Sequence, residues 1–91
     1  EKGEDSEDND PAGLMINVLA DGSIVVSDNV VSFEALDRLV EEAIAHAGGV
    51  DALKPLIRAD RNCDAGKLNE VFNRLSARGI SSIRLATERN R

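Results

Sequence analysis

LIRADRNCDAGKLNEVFNRLSARGISSIRLAT, residues 56–87, is the stretch that decides the fold. LIRAD (56–60) alternates, with Ile57 and Ala59 on one side and Leu56, Arg58 and Asp60 on the other, as a half-buried strand does. Asn62 or Asp64 can cap the following helix by accepting a hydrogen bond from an unpaired first-turn N–H. Across 64–78 the apolar residues Leu68, Val71, Phe72 and Leu75 share one helical face, leaving Lys67, Glu70, Asn73, Arg74 and Arg78 outward. Gly79 is placed to end that helix, and ISSIRLAT (80–87) reads as a strand. A strand, a helix and a strand in this order form a crossover, which makes the two strands parallel and the connection right-handed.

Working back toward the N-terminus, LMINVLA (14–20) and SIVVS (23–27) flank Asp21-Gly22 and read as a hairpin, since glycine accepts positive φ without a Cβ clash. Asp28-Asn29 is read as a second turn, followed by Val30-Val31. Ser32 is a helix N-cap, and apolar residues at 33, 36, 39, 40, 43, 44 and 47 define one helical face that Gly48-Gly49 terminates. Glu34–Arg38 and Arg38–Glu42 have the i,i+4 spacing of surface ion pairs. The order is β-β-α-β-α-β. It predicts an α/β (α+β) two-layer sandwich, with a mixed four-stranded sheet and two helices on one face. Alternation places Ile16, Val18, Ile24, Val26, Ile57, Ala59, Ile83 and Leu85 under the helices. Asn17, Ser23, Val25, Ser27, Leu56, Arg58, Asp60, Ser82, Arg84 and Ala86 fall on an open face, which an antiparallel portion of sheet tolerates in water.

The whole chain has 91 residues, the size of one domain. Its 17 acids and 11 Lys+Arg give −6, but the charge is uneven. EKGEDSEDND (1–10) holds six acids against Lys2, a charge of −5, while residues 11–91 carry only −1. Residues 1–13 are therefore read as an acidic flexible linker, 14–88 as the folded domain and 89–91 as a tail. Two Phe and no Tyr or Trp offer no stacking platform for single-stranded nucleic acid, and the acidity opposes phosphate binding. No run of about 18 apolar residues exists to span a bilayer, and no signal or lipidation motif occurs.

Candidate chemistry is sparse. Cys63, the single cysteine, excludes an internal disulfide and is too little for a zinc or iron–sulfur site. It precedes a helix, whose N-terminal dipole would lower its pKa, but no histidine is near in sequence. His46, the single histidine, sits at a helix C-terminus beside Glu42 and is read as solvated. RADRNCDAG (58–66) lacks the ligand order of an EF-hand, so capping accounts for Asp60 and Asp64. Glu41 and Glu42 point in different directions on a helix. No catalytic residue, metal or cofactor is assigned. The residues alone describe an α/β binding module; a small-ligand or regulatory domain is one alternative, and an enzyme using Cys63 or His46 another.

The full pattern carries a resemblance. Strand, Asp-Gly and strand across Ile16–Val26, the helix with Leu36 and Leu39, the strand ending Arg58-Ala59-Asp60, the helix ended by Gly79, and the closing Leu85-Ala86-Thr87 together resemble the C-terminal periplasmic domain of ExbD/TolR proteins. The match covers about residues 14–88. One departure is Cys63-Asp64-Ala65-Gly66, where that family usually has an aromatic residue. The resemblance implies a non-enzymatic, homodimeric domain of a single-pass protein of the bacterial inner membrane, with this part in the periplasm. It implies an ExbB/TolQ-like channel partner, engaged through a transmembrane helix whose functional Asp matches no position here. It also implies a TonB-like or Tol–Pal partner, and for TolR-like members peptidoglycan. ISSIRLAT is expected to be an edge strand for partner or dimer pairing. Arg58, Asp60, Arg84, Leu85 and Thr87 are the expected contact residues, with Arg58 and Arg84 meeting a carboxylate or an anionic cell-wall group.

Overall fold

The computed structural model describes residues 13–88; the expected linker at 1–13, apart from Gly13, and the expected tail at 89–91 lie outside the described residues. Seven elements follow in the order β1 (Gly13–Val18), β2 (Ile24–Val26), β3 (Asn29–Val31), α1 (Phe33–Ala47), β4 (Lys54–Asp60), α2 (Ala65–Ala77) and β5 (Arg84–Glu88). The sheet order is β3-β2-β1-β4-β5. β2 is antiparallel to both β1 and β3, whereas β4 is parallel to both β1 and β5. The mixed sheet and two helices are as the alternation predicted, but the strands number five and not four.

The extra strand comes from a turn one residue earlier than expected. Ser27 (φ 52°) and Asp28 (φ 68°) are both left-handed, the signature of a two-residue hairpin turn whose twist suits antiparallel strands. Asn29 therefore opens β3 instead of closing a turn, its side-chain amide donating to the Ser27 carbonyl at 3.1 Å. In the first hairpin the turn spans Leu19–Gly22, where Gly22 (φ 91°) donates to Leu19, so β1 ends at Val18 and not Ala20. The carboxylate of Asp21 accepts from the Ser23 amide at 2.9 Å and tightens the loop.

The first helix follows its sequence signals. Ser32 accepts from the Ala35 amide at 3.1 Å. At the far end Gly48 (φ 97°) and Gly49 both donate to the Ile44 carbonyl, closing the last turn with a left-handed residue that only glycine adopts cheaply. The second helix is capped by Asp64, which accepts from Gly66 at 2.8 Å. β4 begins at Lys54, two residues before the expected start; β5 begins opposite Leu56, so Pro55 has a strand on one side only.

The closing strand is shorter than ISSIRLAT. Ile80 is buried and its amide donates to Leu75, tying it to the end of α2, and regular pairing starts only at Arg84. The core is the expected inner face, with Ile16, Val18, Ile24, Val26, Ile57 and Ala59 from the sheet packed against Leu36, Val40, Val71 and Leu75 from the helices. Leu85 is the exception. Its register with Ile57 puts it on the helix side, yet it is 48% exposed, because the helix layer does not extend over β5.

Arg74 and Arg78 are not outward on α2; they face α1, and Glu70 pairs with Arg74. Arg74 donates to Asp37 and, at 2.9 Å, to Glu70, while Arg78 reaches Glu41 at 3.2 Å. The guanidinium of Arg74 also stacks 4.7 Å from the centre of the Phe33 ring, and Lys67 approaches the same ring at 5.5 Å. The expected pairing of Arg38 with Glu34 or Glu42 does not form; ion pairs tie the helices to each other, and one i,i+4 pair, Arg74–Glu70, runs along α2.

Candidate functional site

The sheet face opposite the helices, uncovered among the described residues, is built from alternate residues of all five strands. Register aligns Val30, Val25, Asn17, Arg58 and Ala86 in one row, and Met15, Leu56 and Arg84 in the next. Val30 is 71% exposed, and the remaining residues grade from half-buried in the centre to exposed at Arg84. Arg58 thus lies at the middle of the face, one strand away from Arg84 and diagonal to it. Its guanidinium lies 3.6 Å from the Met15 sulfur. Parallel alignment of β4 and β5 is what places both arginines on one side.

Asp60 is on the same face at the far end of β4. One of its carboxylate oxygens accepts from the Asn62 amide at 2.8 Å, shaping the turn into α2. Leu85 and Thr87 are on β5 too, but point to the helix side, where both are exposed. The five expected contact residues therefore fall into two groups. Arg58, Asp60 and Arg84 share the open face, while Leu85 and Thr87 share the bare margin of the opposite face. The outer backbone edge of β5, which no strand pairs among the described residues, runs between the two groups.

A depression of about 500 Å³ opens beside Arg58, lined by Gly13, Leu14, Met15, Asn17, Val26, Ser27, Asp28 and Arg58. Sequence reasoning placed Asn17 and Arg58 on this face but missed Met15 and the concavity. Strand alternation from Asn17 identifies Met15; the concavity depends on the two left-handed turn residues that carry the chain away after Val26, and no periodicity reports those.

The surroundings of Cys63 do not favour the thiolate. The residue is half-buried, and burial together with the nearby carboxylates of Asp60 and Asp64 pushes its pKa above the ordinary value of 9.0, where the helix dipole alone would have lowered it. His46 is exposed at the end of α1.

In the comparison with known families, the family Biopolymer transport protein ExbD/TolR matches residues 1–90. The chain belongs to the ExbD/TolR family. No curated protein matches it. This is a family of biopolymer transport and energy transduction, transport-associated and not catalytic, whose members generally work at the inner membrane with ExbB/TolQ and TonB or Tol–Pal partners. Among the described residues of this ExbD/TolR chain, no helix is long and apolar enough to cross a membrane.

Proposed function

We propose that this chain is the periplasmic part of an inner-membrane ExbD/TolR protein that couples the proton motive force to an envelope partner, either a TonB-like transport protein or the Tol–Pal system. The family match carries this reading. In it, the acidic linker tethers the domain to a membrane helix that pairs with an ExbB/TolQ-like channel. The β5 edge, with Leu85 and Thr87 exposed beside it, serves as the homodimer or partner seam through main-chain pairing. Arg58 and Arg84 take a carboxylate of the partner or an anionic group of peptidoglycan.

Two experiments test it. Leu85→Asp with Thr87→Lys is expected to abolish self-association in sedimentation velocity while leaving the thermal melt unchanged; unaltered association removes β5 from the interface. Replacing Arg58 and Arg84 together by Gln is expected to reduce co-precipitation with peptidoglycan and with the envelope partner. Full retention of both would remove the arginines from either contact.

A further inference from the structure

The leader and the sheet it enters carry opposite charge at their junction. Residues 1–10 hold six acids against Lys2, a charge of −5, and β1 begins at Gly13. Gly13 pairs with Lys54 on the neighbouring strand, and Arg84 stands one strand further on, opposite Leu56. Lys54 and Arg84 share the face opposite the helices, both are exposed, and among the described residues neither forms an ion pair. Strand geometry sets their Cα atoms about 8 Å apart, with that of Lys54 about 5 Å from Gly13. Asp10, three residues before Gly13, reaches about 10 Å, so it and the acids before it have both cations in range. Arg58 is already engaged, in part by the Met15 sulfur, and is not asked to contribute.

The other directions from Gly13 are electrostatically unfavourable for an acid. Asp28 lines the depression on the β2 side. α1 ends at Ala47 before Lys54, and α2 ends at Ala77 before Arg84, so both helix C-termini lie at this pole. Their partial negative charge, with exposed Asp51, opposes an acid on the helix side. Asp60 occupies the far end of the open face. We infer that the acidic leader folds back over the Lys54–Arg84 end of the open face as an intramolecular electrostatic cover. Each surface ion pair is weak, but the tether supplies a local concentration on the order of millimolar, and Glu4, Asp5, Glu7, Asp8 and Asp10 exchange over two cations. The contact is therefore sensitive to salt and releasable by tension, since drawing the leader taut strips its acids from the face. Until then it keeps an anionic group of a partner away from Arg84. That consequence rests on the proposed reading of Arg84 as an anion contact; the docking itself does not.

The test places a nitroxide on Ser6→Cys in a Cys63→Ala background of the full 91-residue chain. At low salt it is expected to broaden the amide NMR signals of residues 54–56 and 83–85. The broadening should vanish in 1 M NaCl, where the screening length is about 3 Å, and in the Lys54→Gln, Arg84→Gln double variant, whose spectrum verifies its fold. Glu7→Lys and Asp8→Lys combined with Lys54→Glu and Arg84→Glu should restore it. Broadening confined to the residues beside Gly13, centred on 26–28 or on the helices, or indifferent to salt and to the double variant would overturn the proposal. So would broadening that passes undiminished from spin-labelled to separately isotope-labelled molecules in a mixture, which would make the cover a contact between copies. Hexaglutamate is the probe for the covered face. It is expected to bind about fivefold more tightly once the five leader acids are changed to their amides. Equal binding to both forms would sink the cover. Binding to neither, with the broadening in place, would leave the docking standing and remove the anion-contact reading of Arg84.

Discussion

Individual side chains in this domain divide by what surrounds them. Leu36 is fully buried at the centre of the core, so Leu36→Ala is expected to cost about 3 kcal/mol in denaturant unfolding. Gly48 holds φ at 97° with open space around the position of a Cβ, so Gly48→Ala meets no clash and suffers only the left-handed backbone, about 1 kcal/mol by the same measurement. Arg74 combines an aromatic stack with two carboxylates, and hydrogen bonding to Asp37 holds its pKa above the ordinary value. Arg74→Met should lower the Tm more than Lys54→Met, which removes an exposed charge only. Cys63 gives the pH dependence its sign. Because folding raises the pKa of the thiol, the native state prefers the protonated form, and the resulting stability is complete below the unfolded-state value and lost as pH rises through the folded one. Stability should therefore fall at alkaline pH above about 9, with slow alkylation at neutral pH, and Cys63→Ala should remove that part of the slope.

Elements differ in how openly the sequence declared them. Both helices were legible because caps and periodicity coincide: Ser32 and Gly48 bracket α1, and Asp64 and Gly79 bracket α2. Ser32→Ala is expected to cost about 1 kcal/mol, read from chemical unfolding. β3 was hidden because three residues are too few for alternation to register, and because Ser-Asp is an unadvertised pair for a tight turn with two positive φ values. The beginning of β5 was hidden for the opposite reason. Ile80 is apolar and buried, but by packing at the end of α2 and not by sheet pairing, so ISSIRLAT looked longer as a strand than it is. For the candidate site, period-two alternation sufficed to put Arg58 and Arg84 on one face. The exposure of Leu85 was not legible, since it depends on how far two helices reach across a five-stranded sheet. The depression beside Arg58 was equally silent, since it follows from pairing register and turn geometry.

At the scale of the whole molecule, the two helices are joined to each other by the Arg74 and Arg78 ion pairs and to the sheet by one continuous apolar layer. Among the described residues no element covers the opposite face, and family membership places the domain in biopolymer transport and energy transduction in general. β1, β4 and β5 all run in one direction, so the chain enters this block at Gly13 and leaves it at Glu88 at the opposite pole. Tension applied between those two points is carried lengthwise through three neighbouring strands. Their cross-strand hydrogen bonds are then sheared together and not peeled apart singly, so the block yields only when many give way at once: a pulling load that would unzip a hairpin meets here the behaviour of a lap joint.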